Sequence, residues 1–372
     1  MIYLDNAATS LVKPPSVLQS MAHALQTMAS PGRGGYVPSG RAAETVYECR
    51  ETAARLFNME NPSEVIFTHN ATHSLNIAIF SLISRGDEVL ISGFEHNSVT
   101  RPLHALGAEL TVAGRKLFDT DDVLEDFEKK IPGKKAVVCT HVSNVFGFVL
   151  PIYDIARMCE NYGVPLIVDA SQSAGILNVD MEKLNAAFIA MPGHKSLFGP
   201  QGTGILLCNY GVSPLMYGGS GSESKSPDMP EYLPERLEAG TANVCGIAGL
   251  KAGMEFVLSR GTERISAYER KLLALAVREL EKIPGLKLYA SDSNNQSGVL
   301  SFTVDGLDCE SVASRLSDRG VCVRAGLHCA PTAHESAGTL DTGTVRMSVS
   351  PFVSENDIIR AVSAIKNITV SQ

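Results

Sequence analysis

Residues 187–208 read AFIAMPGHKSLFGPQGTGILLC, a segment that indicates an α/β fold. It contains two short apolar runs, 187–191 and 204–208, bounded by Gly and Pro, a pattern typical of buried strands. Lys195 lies in the turn between them. Because burying an ammonium group is costly, a lysine there is either an ordinary surface residue or a functional one. A partly desolvated lysine has a lowered pKa and can act as an amine nucleophile.

Strand-like and helical patterns alternate along the first two thirds of the chain. The other predicted strands are 64–68, 88–92, 109–113, 136–141 and 165–169, and the predicted helices are 15–29, 41–57, 69–84, 100–107, 120–130 and 152–162. Near-continuous apolar strands separated by helices predict an α/β domain with a largely parallel sheet.

The last third of the chain has a different pattern. After a Gly-, Ser- and Pro-rich loop at 217–235, the sequence predicts helices at 246–259, 263–282, 309–319 and 354–366, and short strands at 286–290, 298–304 and 321–324. This mixture indicates a smaller α+β domain. We therefore predict a large domain at 20–250 and a small domain formed by 1–19 and 251–372.

Composition excludes several classes of protein. The net charge is −8 without a basic cluster, so we expect no nucleic-acid partner. No apolar run reaches the ~20 residues that span a bilayer, and Met1 leads directly into IYLDNAAT, so we expect no membrane association and no targeting signal. The eight cysteines form no CxxC pair, which predicts a reduced, cytoplasmic protein without a metal site.

Polar residues follow two of the predicted strands. Asp169 ends an apolar run in VPLIVDAS, and Lys195 follows the run at 187–191. An Asp in this place either caps the next turn or faces a cationic ring nitrogen, which is the partner that pyridoxal phosphate (PLP) needs as an electron sink. Residues 68–72, THNAT, join a strand to a helix, where a helix N-terminus can hold a phosphate. Together these positions indicate a PLP site.

The chain resembles the class V aminotransferase superfamily and, within it, the cysteine desulfurases and selenocysteine lyases. The matching motifs, in order, are YLDNAAT (3–9), GHK (193–195), RLEAGTANV (236–244), RAGLHCAP (324–331) and VRMS (345–348). The resemblance implies the α/β fold of fold-type I PLP-dependent transferases, with a large, mostly parallel-sheet domain and a smaller α+β domain. It also implies PLP as cofactor and a homodimer.

Matched to the family, Lys195 would carry the cofactor through its amine and later move the Cα proton. Asp169 would pair with the ring nitrogen, and His96 would stack on the ring. Asn144 and Gln172 match residues that hydrogen-bond the phenolic oxygen of the cofactor. Without the resemblance, His96 would be read as the partner of a local backbone group, and Asn144 and Gln172 as ordinary turn residues.

The phosphate contacts implied by the resemblance are Ala71, Thr72, His194 and Thr241, with Thr241 reaching in from the other subunit. The family usually has a Ser at the position of Pro192. A proline supplies neither a hydroxyl nor an amide hydrogen, so we expect phosphate anchoring to depend more on the remaining contacts.

Arg346 matches the arginine that binds the substrate carboxylate, a task suited to its two-pronged guanidinium. The same residue could instead be a solvated strand residue. Asn6, Ala7, Arg33 and Asn144 would line the substrate site. Gly32 stands where the family often has a His, so substrate handling there is expected to differ.

Cys329 distinguishes the possible reactions. It lies in a loop punctuated by Gly and Pro, whereas Cys139, Cys208 and Cys322 lie in apolar runs. Exposure and the neighbouring His328 imidazole favour a reactive thiolate, although an incidental loop cysteine is the alternative. The position matches the sulfur-accepting cysteine of a subclass that hands its persulfide to an acceptor protein.

These features imply a PLP-dependent cysteine desulfurase that converts L-cysteine to L-alanine and keeps the sulfur on Cys329 as a persulfide. The alternatives are a selenocysteine lyase acting on L-selenocysteine, another class V PLP enzyme (aminotransferase, C–S lyase or epimerase), and a PLP-binding scaffold without turnover. Sequence patterns do not identify the acceptor protein.

Overall fold

The structure is a computed structural model that describes residues 1–32 and 34–370. The strands are β1 (Ile2–Tyr3), β2 (Val65–Thr68), β3 (Glu88–Ser92), β4 (Glu109–Ala113), β5 (Ala136–Thr140), β6 (Leu166–Asp169), β7 (Phe188–Pro192), β8 (Gly204–Cys208), β9 (Leu286–Tyr289), β10 (Val299–Val304), β11 (Val321–Cys322), β12 (Arg324–Gly326) and β13 (Thr344–Ser348). The α-helices are α1 (Pro15–Thr27), α2 (Val37–Phe57), α3 (Ala71–Leu82), α4 (Asn97–Leu106), α5 (Thr120–Lys130), α6 (Ile152–Tyr162), α7 (Met181–Leu184), α8 (Val244–Arg260), α9 (Thr262–Leu280), α10 (Cys309–Ser317), α11 (Pro331–Ala337) and α12 (Glu355–Val370).

Seven strands form the large sheet in the order β2-β8-β7-β6-β5-β3-β4. The neighbouring strands β7, β6, β5, β3 and β4 all run parallel to one another, whereas β8 runs antiparallel to both of its neighbours, β2 and β7. The predicted largely parallel sheet is therefore confirmed. Parallel pairing brings the carboxyl ends of β5, β6 and β7 to one edge of the sheet, where sites of α/β proteins form.

The central strands are apolar throughout because both faces of the sheet are covered. Every residue of β5, β6 and β7 is buried. Successive side chains of a strand point to opposite faces. Val137 accordingly belongs to one apolar core and Val138 to the other, which lies on the opposite face. This two-sided burial explains why these strands lack the alternating pattern of a half-exposed sheet.

The C-terminal part forms a second sheet, β12-β13-β10-β9, whose strands are all antiparallel. Helices α9, α10 and α12 help to build its own apolar core, which also contains Ile2 and Leu4 from the N-terminus. β1 pairs with β11 in parallel, so the first residues of the chain belong with its last third. The domain division at residue 250 remains a prediction, and α8, which packs on α1 and α2, crosses it.

Several elements differ from the sequence-based expectation. The run at 321–324 contributes to two sheets, because β11 pairs with β1 while β12 pairs with β13. Helices α7 and α11 and strand β13 have no counterpart among the predicted elements. Among the helices of residues 1–32 and 34–370, none is both long enough and apolar enough to cross a membrane.

Candidate active site

A cavity of about 180 Å³ lies beyond the carboxyl ends of β5, β6 and β7. Most of the residues predicted to hold a cofactor line it, from five separate segments of the chain. They are Ala71, Thr72, His96, Asn144, Asp169, Gln172, His194 and Lys195. Pro192, Ser98, Thr140 and Ser171 complete much of the remaining wall. The strand-end argument from the sequence therefore predicts the place of this cavity correctly.

Lys195 is partly buried in the turn after β7, and among the described residues its ammonium group forms no ion pair. Burial lowers the pKa of Lys195 to about 8. The charge of Asp169 raises that pKa, whereas the charges of Arg346 and Arg324 lower it further. The amine is consequently closer to its free-base form near neutral pH than an ordinary lysine, as a nucleophilic amine requires.

Asp169 is the last residue of β6 and only 3% exposed. Its carboxylate accepts a hydrogen bond from the backbone N–H of Ser171 at 2.9 Å. Among the described residues it forms no ion pair. A buried carboxylate without a cationic partner is unusual, so Asp169 is suited to pair with a cationic group of a ligand.

The N-terminus of α3 forms another part of the cavity wall. Asn70 caps this helix by accepting the N–H of His73, and Ala71 and Thr72 form its first turn. The first N–H groups of a helix lack intrahelical partners and favour anions. The Thr72 hydroxyl lies 2.8 Å from the hydroxyl of Ser98. This part of the wall therefore has the donors that a phosphate needs.

His96 caps α4 with its ring. Its Nδ1 accepts the N–H of Ser98 at 3.0 Å and lies 2.9 Å from the Ser98 hydroxyl. Burial lowers the pKa of His96 to about 4, while the charge of Asp169 raises it. At neutral pH the ring is therefore uncharged, and Nε2 carries its proton.

His194 is held by the N-terminal segment. Its Nδ1 lies 3.0 Å from the hydroxyl of Thr9, and its carbonyl accepts from Thr9 and Ser10. Burial lowers the pKa of His194 to about 4, and the charges of Lys195 and Lys13 lower it further. This ring is neutral as well.

Of the predicted substrate residues, Asn144 lines the cavity, and Arg346 is hydrogen-bonded to it. The guanidinium of Arg346 donates from Nη2 to Asp5 at 2.7 Å and from Nη1 to the carbonyl of Asn144 at 2.9 Å. Arg346 is 2% exposed, so it is a buried residue and not a solvated strand residue. Burial lowers the pKa of Arg346, and the adjacent Asp5 carboxylate opposes that effect.

Asn6 and Ala7 are fixed next to Arg346 by contacts with β13. The Asn6 amide donates to the carbonyl of Ser348 at 3.0 Å, and the Ala7 N–H donates to the Ser348 hydroxyl at 2.8 Å. The Gln172 amide donates to the carbonyl of Ala7 at 3.0 Å. The N-terminal segment thus connects the predicted cofactor and substrate residues.

Cys329 does not line the cavity, but its loop is attached to the cavity wall. The carbonyl of Cys329 accepts the N–H of Asn97 at 2.7 Å, and the carbonyl of His328 accepts the Asn144 amide at 2.8 Å. All eight cysteines lie in the described residues, and among them Cys329 is the exposed one. His328 and Cys329 both have positive φ angles, 51° and 56°.

The His328 ring is not placed to activate the Cys329 thiol. The ring is buried, with Nε2 3.3 Å from the carbonyl of Arg324, and it stacks on His334. Burial lowers the pKa of His328 to about 3, and the charge of Arg346 lowers it further. A neutral ring that is hydrogen-bonded elsewhere does not stabilise a thiolate. Of the two features expected to make Cys329 reactive, only its exposure is therefore present.

The predicted phosphate contact Thr241 does not line this cavity. Thr241 lines a different cavity of about 220 Å³, together with His69, Gly204 and Glu238. Its predicted role, contacting the phosphate of the other subunit, stays a prediction. Arg33 lies outside the described residues.

The sequence analysis missed Asp5, Ser98 and Glu95. Asp5 precedes Asn6 in YLDNAAT, and Ser98 follows His96 by two residues, so both were adjacent to residues already singled out. Glu95 is fully buried behind His96 and accepts from the Ser92 hydroxyl and the Thr140 N–H. Burial raises its pKa to about 8. Its place in a buried loop has no signal in the sequence.

The chain is similar to cysteine desulfurases over nearly its whole length. A protein of Methanothermobacter thermautotrophicus named probable cysteine desulfurase is 33% identical over 369 residues, covering 96% of this chain and 92% of that protein. A protein of Pyrococcus abyssi with the same name is 33% identical over 386 residues, covering 100% of this chain and 95% of that protein. The apo structure of cysteine desulfurase from Thermococcus onnurineus NA1 has a TM-score of 0.92 at 31% identity, covering 100% and 95%.

The sequence model of the family described as Aminotransferase class-V matches residues 2–360. This match includes both sheets, the Lys195 turn and the Cys329 loop. The chain therefore belongs to the class V aminotransferase family, in which it is related to the proteins named cysteine desulfurases.

Proposed function

We propose that this chain is a PLP-dependent cysteine desulfurase, which converts L-cysteine to L-alanine and retains the sulfur on Cys329. The observation that carries the proposal is the cavity that combines Lys195, Asp169 and a helix N-terminus, with the exposed Cys329 on a loop bonded to its wall. The relatives named cysteine desulfurases support the same reaction.

The chemistry of the cavity fits PLP. Asp169 is a buried carboxylate without an ion-pair partner among the described residues, and it suits a protonated ring nitrogen. Lys195 has an amine of lowered pKa that suits an aldehyde. The N-terminus of α3, with Ala71 and Thr72, suits a phosphate. His96, Asn144, Gln172 and His194 would hold the remainder of the cofactor.

When bound, PLP supplies an electron sink that stabilises negative charge at the substrate Cα. Arg346 orients the substrate through its carboxylate, with Asn6 and Ala7 beside it. Lys195, once its amine is free, accepts the Cα proton. The Asp169 carboxylate would hold the ring nitrogen of the cofactor.

Cys329 then removes the sulfur. Its thiolate attacks the sulfur of the substrate, forming an S–S bond while the C–S bond breaks, and the electrons of the C–S bond pass to the substrate carbon. Protonation of that carbon, the substrate Cβ, and return of the proton from Lys195 to Cα yield L-alanine. The sum is Cys329–SH plus L-cysteine giving Cys329–S–SH plus L-alanine, so no external oxidant or reductant is needed.

We further propose a homodimer that delivers sulfur to an acceptor protein. Large apolar side chains are exposed on two neighbouring helices, Leu18 and Leu25 on α1 and Val37 and Tyr47 on α2, with exposures of 55–74%. Exposed apolar surface of this kind suits an interface. Exposed Leu327, near Cys329, would contact the acceptor.

The experiment that tests this function supplies purified, PLP-loaded protein with L-cysteine, L-selenocysteine or an α-keto acid with an amino donor. Sulfide (with a thiol reductant), selenide and L-alanine are measured. We expect sulfide and L-alanine in equal amounts from L-cysteine. Turnover of L-selenocysteine alone would indicate a selenocysteine lyase, transamination would indicate an aminotransferase, and no turnover would indicate a binding scaffold.

A further inference from the structure

Arg346 has a carboxylate partner that the proposed reaction leaves unexplained. Asp5 lies 2.7 Å from its Nη2, and the two side chains are 20% and 2% exposed. The pair is separated by 341 residues in sequence. On its other side the guanidinium donates to the carbonyl of Asn144, in the wall of the Lys195 cavity. The guanidinium is thus held between the N-terminal segment and the large domain.

The guanidinium retains donors that are not used by the protein. A guanidinium has five N–H donors, and one each from Nη1 and Nη2 is engaged by Asn144 and Asp5. Nε is buried and has no hydrogen-bond partner among the described residues. Buried donors are nearly always satisfied. Nε therefore lacks a hydrogen-bond acceptor, which an oxygen-bearing ligand can supply.

The place of the Asp5 carboxylate is set by the backbone. Asp5 forms a bridge with Ser348 of β13, two residues beyond Arg346. The N–H of Ser348 donates to the carbonyl of Leu4 at 2.7 Å, and the Asn6 amide donates to the carbonyl of Ser348. With both neighbours of Asp5 bonded to β13, its side chain has little freedom to move away from Arg346.

The charges around Arg346 also require this partner. Arg324 of β12 lies directly opposite Arg346 of β13. Like charges directly opposite each other in a sheet repel. Arg324 is exposed and forms no ion pair among the described residues. The Asp5 carboxylate is the negative charge that offsets this repulsion and keeps the Arg346 guanidinium facing the cavity wall.

We propose that Asp5 is a positioning residue, which holds the Arg346 guanidinium in the orientation that binds the α-carboxylate of the amino acid. The proposal rests on the proposed function, because it makes the substrate carboxylate the acceptor that Nε lacks. It predicts that loss of the Asp5 charge weakens binding of amino acids but not of amines that lack a carboxylate.

The test compares two ligands that differ only in the carboxylate. PLP-loaded wild-type protein and Asp5→Asn are titrated with L-alanine and with ethylamine, which is L-alanine without its carboxylate. Binding is followed by the absorbance change of the bound cofactor, so no turnover is required. Glu335→Gln, which removes an exposed carboxylate paired with Arg115, is the control. Asp5→Glu keeps the charge and serves as the rescue variant.

We expect the Kd of L-alanine to rise about tenfold in Asp5→Asn, which corresponds to the loss of one charge-assisted hydrogen bond. The Kd of ethylamine should stay within about twofold, as should both values in Glu335→Gln. The Kd of L-alanine for Asp5→Glu should lie between the values for wild type and Asp5→Asn. If Asp5→Asn does not fold, the ratio of the Kd of L-alanine to the Kd of ethylamine is compared between Asp5→Glu and wild type. This ratio should still be higher in Asp5→Glu.

An equal rise for both ligands would assign Asp5 a purely structural role and overturn the inference. Unchanged or tighter binding of L-alanine would also overturn it, since Asp5 would then be irrelevant or a competitor for the guanidinium. Failure of the proposed function is seen separately, because wild-type protein would then not release sulfide from L-cysteine, whatever the two Kd values are.

Discussion

At the scale of single residues, the environment of Lys195 sets when its amine can react. Burial lowers its pKa to about 8, and the charge of Asp169 opposes this change. Below pH 8 the ammonium form predominates, so the rate of covalent PLP attachment to apoprotein should rise about tenfold per pH unit and level off above pH 8. Stopped-flow absorbance between pH 6 and about 10 measures this rate.

Two variants check this prediction. Asp169→Asn removes the charge that raises the pKa of Lys195, so the plateau should begin at lower pH. Lys195→Ala should show no covalent attachment, and borohydride should fix the cofactor only to the peptide that contains Lys195 in the wild type. A rate that still climbs steeply between about pH 9 and 10 would indicate an ordinary lysine with the usual pKa.

Pro192 is the second residue whose chemistry can be tested alone. It ends β7, lines the Lys195 cavity, and provides neither a hydroxyl nor an N–H. Pro192→Ser should add both donors and lower the Kd of PLP about tenfold, as expected for an added hydrogen bond to a charged group. Equilibrium dialysis of apoprotein gives the Kd. Pro192→Ala adds the N–H alone, so its Kd should lie between those of wild type and Pro192→Ser. Equal Kd values in all three proteins would show that residue 192 does not contact the phosphate.

At the scale of elements, an ion pair covers the free edge of the large sheet. Glu238 accepts the N–H of Phe67 in the edge strand β2 at 2.6 Å and pairs with Arg50 of α2. Arg50 in turn donates to the carbonyl of Val65 and lies over the Phe67 ring, 4.6 Å from its centre. The side chains of the pair are 7% and 17% exposed. The pair therefore attaches the segment that carries Thr241 to the sheet.

Removing one member of this pair should be costly. In Glu238→Gln the Arg50 charge stays buried without its partner, so the free energy of unfolding should fall by about 3 kcal/mol. Denaturant unfolding measures the change. Glu335→Gln breaks the exposed Arg115–Glu335 pair and should cost less than about 1 kcal/mol. Similar small losses in both variants would show that Glu238 does not stabilise this edge.

The elements that the sequence predicted well share one property. Strands such as β3, β4 and β8 and helices α5 and α6 have the predicted bounds, because buried strands read as short apolar runs between turn residues. β13 was missed because the buried Arg346 interrupts its apolar run, and α11 because its seven residues are too few to show a helical period. The run at 321–324 was read as one strand because the pairing of β11 and β12 with different sheets leaves no sequence signal.

At the scale of the whole molecule, the site depends on contacts between distant parts of the chain. The strand-end positions of Asp169 and Lys195 were predictable, since parallel strands end at the same edge. The match to family motifs predicted six further cavity residues, Ala71, Thr72, His96, Asn144, Gln172 and His194, whereas Ser98 and Thr140 were not predicted. The Asp5–Arg346 pair was not predictable, because it forms only when the N-terminal segment pairs with β11 and with Ser348 of β13, more than 300 residues away in sequence. The buried orientation of the His328 ring was not predictable from the sequence either.

The proposed homodimer makes a prediction about Thr241, which lines a cavity apart from Lys195 in the same chain. If Thr241 serves the partner's site, Thr241→Ala should weaken PLP binding. Mixed dimers of Thr241→Ala and Lys195→Ala should then regain one tight site per dimer, because one site has both Lys195 and the partner's intact threonine. PLP titration of the mixture measures this recovery. No recovery, or tight PLP binding by a monomer in sedimentation, would contradict the dimeric site.

Transfer of sulfur from L-cysteine to Cys329 can be observed on the protein itself. PLP-loaded protein is incubated with L-cysteine, alkylated and digested, and the Cys329 peptide is analysed by mass spectrometry. We predict one extra sulfur on that peptide, removable by reductant, with L-alanine formed in equal amount. Cys329→Ser should keep its bound cofactor and form neither the persulfide nor sulfide. Wild-type rates of sulfide release in Cys329→Ser, or the extra sulfur on another cysteine, would contradict sulfur transfer to Cys329.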